Sequence, residues 1–282
     1  MIFNRHATTM PLEISEELTS MADWHALIER VPLVRDEQAL AQLAARVARA
    51  GAVEPVTHRQ IPPKRMESLD NLREGLVFES INSRSRAVLL CIERVLEEVT
   101  WSDAKIYATE AITPFALRLR GLFAKFIGSE YTESEDQRAE LYPIPCEDLQ
   151  NLTFPSDCFH VVTTNEVLEH VPSIDAALRE IHRVLTPGGW HIGTAPFAMG
   201  QQDSILKAKI EDGRVVHLME PEYHGNPVDE RGSLVFEIPG WDILDRARAV
   251  GFSDAHMKFV MSTRHACLSG DAGGIFVFAF RK

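Results

Sequence analysis

Between residues 173 and 185 the apolar positions Ile174, Ala177, Leu178, Ile181, Val184 and Leu185 recur every three or four residues, and Pro187-Gly188-Gly189 follows. That spacing lays one apolar stripe along a helix and ends it at the Pro-Gly pair. Short apolar runs of strand length flank it, at 159–164 and 190–195, and two earlier ones lie at 105–109 and 126–129. A further, poorly marked run leads into Glu147. Strands separated by helices predict a parallel sheet with helices on both faces. The tail is patterned differently: 241–249 predicts a helix, then 255–261 and 274–281 predict two neighbouring strands joined by a Gly-rich loop. The expected architecture is therefore an α/β fold whose parallel sheet ends in an antiparallel pair.

The first 80 residues carry a different pattern. Leu40, Leu43, Ala44 and Val47 share one helical face before Gly51, and Pro55, Pro62 and Pro63 mark a linker running to about Leu69. From Asn82 another helix is predicted, with Ala87, Leu90, Cys91, Val95 and Leu96 on one face. Residues 1–80 thus read as an N-terminal helical extension and linker, and 81–282 as the sheet-bearing domain.

Composition narrows the function classes. The chain has 282 residues, 45% hydrophobic and 25% charged, as in an ordinary globular protein. No apolar run is long enough to span a membrane, and the first twenty residues, with Glu13, Glu16 and Glu17, show no secretory pattern. Lys plus Arg is 29 against 41 for Asp plus Glu, a net charge of −12. Such a surface repels phosphate backbones, so no nucleic-acid partner is expected. Cys91, Cys146, Cys158 and Cys267 form no C-x-x-C pair. They read as isolated thiols, which suits a reducing, cytoplasmic location.

In an open α/β sheet ligands sit beyond the carboxyl ends of the strands. The first three strand ends each offer a carboxylate: Glu110, Glu130 and Asp148. A carboxylate after the second strand can accept both hydroxyls of a ribose. Asp148 can accept from an exocyclic adenine amine while the Leu149 N–H donates to a ring nitrogen. The plainer reading is helix caps and solvated loop residues, but three acids at successive strand ends favour a site. Thr113 and Pro114 read as the cap and first turn of the helix after strand one.

The segments Asp148-Leu149-Gln150-Asn151-Leu152-Thr153-Phe154, Leu168-Glu169-His170-Val171-Pro172 and Arg183-Val184-Leu185-Thr186-Pro187-Gly188-Gly189 together resemble the class I S-adenosylmethionine-dependent methyltransferases, of the type-11-like group. The resemblance runs over about residues 80–282. It implies a Rossmann-like seven-stranded sheet of order 3-2-1-4-5-7-6 with the last strand antiparallel, and S-adenosyl-L-methionine as cofactor. Around that cofactor it places Thr109, Glu110, Ala111, Glu130, Tyr131, Asp148, Leu149, Asn165 and Glu166. It also packs the segment Asn82-Ser83-Arg84-Ser85-Arg86 over the cofactor, where Arg84 or Arg86 can clamp the carboxylate as a planar fork. Two departures stand out. The loop Ala108-Thr109-Glu110-Ala111-Ile112-Thr113-Pro114 has no glycine where relatives are Gly-rich, so Glu110 is expected to take the cofactor's ammonium. The stretch 74–81 lacks the cysteine pairs that some relatives use for zinc, so no metal is implied.

Residues 198–238 are too long for a simple connection and contain the turn pair Asp212-Gly213. They read as a mobile lid over a small-molecule or sugar acceptor, with Tyr223 and His224 facing substrate. A dimerisation arm, and hence a homodimer, is the competing reading. His224 and His170 are the candidate bases, needed only if the acceptor is a hydroxyl. Two rival classes remain: a methyltransferase-fold scaffold without catalysis, and another nucleotide-using α/β enzyme such as a dehydrogenase, whose Gly-x-Gly-x-x-Gly fingerprint the sequence lacks.

Overall fold

The computed structural model describes residues 11–68, 75–97, 99–225, 228 and 232–282. Part of the expected N-terminal extension and linker, and residues 226–227 and 229–231 of the expected lid, lie outside the described residues. Seven strands make the central sheet: β1 (Glu13–Leu18), β2 (Lys105–Ala108), β3 (Lys125–Gly128), β4 (Phe159–Asn165), β5 (Leu185–Thr194), β6 (Asp254–Ser262) and β7 (Ile275–Arg281). Their spatial order is β1-β6-β7-β5-β4-β2-β3. β2 runs parallel between β3 and β4, and β4 runs parallel to β5. β7 is antiparallel to both β5 and β6.

Six of the strands fall where the sequence predicts them; the seventh differs. The poorly marked run before Glu147 contributes only a single parallel bridge between Glu130 and Cys146. Pro143 and Pro145 lie in it, and a residue without an N–H cannot extend a ladder. The seventh place is taken at the opposite edge by β1, antiparallel to β6. The N-terminal region is therefore not purely helical. Its helices α1 (Met21–Arg30) and α2 (Glu37–Ala50) pack on the same sheet, with the Trp24 ring 5.4 Å from Phe259 and 4.9 Å from Phe276.

Alternation along the strands feeds two cores, one per face. Ile106 and Ala108 pack with α3 (Ser83–Val95) and α4 (Pro114–Leu122), whereas Tyr107, between them, faces the other layer. That second layer holds α6 (Ile174–Val184) and α7 (Ile243–Val250), and the predicted stripe Ile174, Ala177, Leu178, Ile181 and Val184 is wholly buried in it. Between α4 and α6 in the chain, α5 (Glu135–Leu141) follows the carboxyl end of β3.

Residues 198–238 form three small antiparallel ribbons, pairing Ile205–Leu206 with Glu237–Ile238, Ala208–Glu211 with Arg214–His217, and Tyr223–His224 with Ser233–Leu234. The expected hairpin is the middle one. Asp212 and Gly213 both sit at positive φ, 48° and 72°, as a two-residue turn that follows strand twist requires. Among the described residues no helix is long and apolar enough to cross a membrane.

Candidate active site

A cavity of about 940 Å³ opens beyond the carboxyl ends of β2, β3 and β4. Its floor is the set of strand-end loops, and its roof includes Tyr223, Ser233 and Leu234 of the third ribbon. Local sequence fixes the floor. Thr113 accepts from the Ala116 N–H at 3.1 Å and Pro114 begins α4, so the loop after β2 turns sharply. Gly128 lets β3 end directly against that loop: a Cβ there would lie 2.6 Å from the Glu110 carbonyl oxygen.

The three expected carboxylates meet in this cavity. Glu130 Oε1 accepts from the N–H groups of Ala111 (2.8 Å) and Ile112 (3.2 Å). Its Oε2 has no hydrogen-bond partner among the described residues, and burial raises its pKa. Glu110 accepts from the Thr113 hydroxyl and from Asn165 Nδ2 at 2.8 Å. No cation among the described residues pairs with it, and burial holds its pKa above the usual carboxylate range. Asp148 Oδ1 accepts from the Gln150 N–H at 2.8 Å. The neighbouring Leu149 N–H donates to no described residue. Thr109, Tyr131, Leu149, Asn165 and Glu166 line the same cavity, as expected. Asn165 Oδ1 and Thr109 Oγ1 are buried without a hydrogen-bond partner among the described residues, polar atoms that a ligand can satisfy.

Three expectations need correction, those for Arg86, Ala111 and His224, and Arg84 lies at the edge of the site. Arg86 is 1% exposed and gives its guanidinium to backbone carbonyls: Nε to His265 at 2.7 Å, Nη2 to Leu76 and Ala266 at 2.7 Å each, and Nη1 to Ile81. No fork remains for a carboxylate, so Arg86 is a lock between α3 and the loop before β7. Ala111 is fully buried behind the cavity, and its amide serves Glu130 instead of a ligand. Arg84 lines a second cavity of about 560 Å³, and Glu166, with Oε2 3.4 Å from Arg84 Nη1, lines both. The strand period separates the other pair: Tyr223 faces the main cavity and His224 does not line it.

His224 points instead at Glu169, which is wholly buried and went unnoticed in the sequence. His224 Nδ1 lies 3.5 Å and His170 Nε2 3.4 Å from Glu169 Oε1. The second nitrogen of each ring is engaged, His170 Nδ1 with the Leu234 carbonyl at 2.9 Å and His224 Nε2 with Glu222 Oε1 at 3.1 Å. Glu169, then Glu222, hold His224 above the ordinary imidazole pKa. The three ligand-capable atoms of Glu169, His170 and His224 lie within 4.8 Å of one another. Missing cysteines had implied no metal; this carboxylate–imidazole cluster lies outside that argument. The one available signal was the period-two pattern of Glu222-Tyr223-His224, which sets Glu222 and His224 on one face.

Residues 114–193 match the family of methyltransferase domains. No curated protein sequence matches the chain. Among solved structures, YcgJ of Bacillus subtilis is 20% identical with a TM-score of 0.31; the alignment covers 37% of this chain and 49% of that one, so this chain spans about half its length. An S-adenosylmethionine-dependent methyltransferase of Mesorhizobium loti is 15% identical over 67% of this chain and 96% of that one, with a TM-score of 0.44. The complex of the Haloferax volcanii Trm112 methyltransferase activator with a methyltransferase gives 14%, 71% and 88%, with a TM-score of 0.46.

Proposed function

We propose, from the match of residues 114–193 to the family of methyltransferase domains, that the chain uses S-adenosylmethionine to methylate a small-molecule or sugar-related acceptor bound beneath the ribbons of residues 198–238. The observation that carries this reading is the convergence of Glu110, Glu130 and Asp148 on one cavity of about 940 Å³. S-Adenosylmethionine presents hydrogen-bond donors at its ammonium, ribose hydroxyls and adenine amine, and the floor offers an acidic acceptor for each. Glu130, with Oε2 open, takes the ribose, and Asp148 with the Leu149 N–H takes the adenine edge. Glu110, a buried carboxylate without a counter-ion among the described residues, takes the ammonium, and Asn165 orients it. Arg84 is the remaining guanidinium for the carboxylate end, at the Glu166 border of the cavity. Thr109 and Tyr131 complete the wall.

When bound, the cofactor supplies a methyl group on a sulfonium sulfur that leaves with the bonding electron pair as a neutral thioether. The protein's share is alignment of the acceptor and exclusion of water. Tyr223 closes the acceptor side, and His170 is the imidazole on its wall. Location in the cytoplasm fits the cysteine pattern and belongs to this same proposal.

Calorimetric titration with S-adenosylmethionine and S-adenosylhomocysteine tests the reading. Saturable binding of both, weakened in Glu130→Gln, is the expected result. Binding of neither would leave a scaffold whose Gly-free loop after β2 blocks the cofactor.

A further inference from the structure

His170 and His224 raise a question of charge. In each ring the nitrogen turned away from Glu169 is held by an acceptor, the Leu234 carbonyl or the Glu222 carboxylate, and so carries the N–H. The remaining nitrogens, His170 Nε2 and His224 Nδ1, are both turned toward one oxygen of Glu169, at 3.4 and 3.5 Å, around a side chain with no access to water. Among the described residues neither Glu169 oxygen has a hydrogen-bond partner. A wholly buried carboxylate is stable only when its charge is compensated, so a cation belongs between these atoms.

A proton would fill the role only poorly. Charge-assisted N–H···O bonds close to about 2.7–2.9 Å, well inside the separations here. A metal ion accounts for them directly. Two donors each about 2.1 Å from a tetrahedral ion lie about 3.4 Å apart. The outer partners also match, since ligating imidazoles characteristically donate their other N–H to a carbonyl or a carboxylate. Glu222 is itself braced by Lys207.

We propose that Glu169, His170 and His224 bind one divalent transition-metal ion of the zinc type. One carboxylate and two imidazoles favour such an ion over magnesium or calcium, which take oxygen sets. The ion joins the loop after β4, which carries Glu169 and His170, to the Tyr223–His224 strand of the roof. Three protein ligands leave a coordination position open. His170 borders the main cavity, so that position is where an acceptor oxygen would reach the ion and lose its proton to water more readily. This last consequence rests on the methyl-transfer reading; the metal site does not.

The test is calorimetric titration of Zn²⁺ into the full chain after treatment with a chelator, with Co²⁺ absorption in the visible as a second readout. One ion per chain is expected. His224→Ala, a change on a partly exposed ribbon that leaves the core untouched, abolishes binding, as does Glu169→Gln. Glu222→Gln weakens it about 10–100-fold by removing an outer partner. Absence of Zn²⁺ binding to the folded chain overturns the proposal, and so does binding that survives both His224→Ala and Glu169→Gln. Titration of S-adenosylhomocysteine into the same metal-free protein reads the methyl-transfer proposal separately.

Discussion

The floor and the roof of the main cavity are built by different means. On the floor, Glu110 follows β2, whose register is set on both sides by ladders to β3 and β4, and Glu130 follows β3, paired along its length with β2. The roof has only short ribbons, held by side-chain bonds and a few backbone ones. Gln137 Nε2 donates to the Val228 carbonyl at 3.0 Å, and Arg246 donates to Asp175 at 2.7 Å and to Glu237. The Phe236 N–H reaches the Glu169 carbonyl at 2.7 Å. A floor of this kind fixes where a shared ligand sits, while a roof held by a few polar contacts can change without unseating it.

Substitutions should separate the two regions. Arg86→Ala attacks the frame beneath the floor, leaving several buried carbonyls unsatisfied, and should cost about 3 kcal/mol or more of stability in denaturant unfolding. Loss of cofactor affinity without loss of stability would instead return Arg86 to the site. Glu130→Gln keeps an acceptor for the Ala111 and Ile112 amides but removes the charge. It should weaken S-adenosylmethionine by about 1.5–3 kcal/mol, tenfold or more, at nearly unchanged melting temperature.

Acid should weaken the frame through His191, which is wholly buried in β5 with Nε2 2.9 Å from the Thr164 hydroxyl. Burial lowers its pKa to about 3. The unfolded chain, titrating near 6.5, binds the proton first, so stability falls as pH drops from about 6.5 toward 3. The loss from this group at pH 5 should be about 2 kcal/mol. His191→Gln should flatten that part of the unfolding profile whatever it does to stability at neutral pH. The smallest effect belongs to the roof. Arg246→Ala should cost about 1 kcal/mol and raise the acceptor KM, while calorimetry finds cofactor binding unchanged.

The floor was legible in the sequence because its information is local. A strand pattern locates each carboxyl end, and the next few residues are the site; Glu110 and Glu130 follow from that rule, while Asp148 lines the cavity although the strand expected before it is only a bridge. The Asp212-Gly213 hairpin was legible for the same reason. Arg84 and Arg86 were not separable, because two of the carbonyls that consume Arg86 come from residues 265 and 266, far along the chain. Glu169 was hidden likewise: its companion His224 arrives from a ribbon 55 positions later. β1 escaped because Glu13, Glu16 and Glu17 mask its alternation, and its pairing partner is the distant β6.

That pairing has a consequence for the order in which the molecule is made. Leu18 sits opposite Met257, and Lys258 Nζ meets Glu17 Oε1 at 3.2 Å across a sequence separation of 241 residues. During synthesis β1 emerges early and waits until nearly the whole chain has followed before its partner exists. Closing so long a loop is entropically costly, so the β1–β6 edge should be among the last parts of the sheet to form. Three glutamates on a six-residue strand suit that wait, since like charges discourage an unpaired edge from adding to another nascent chain.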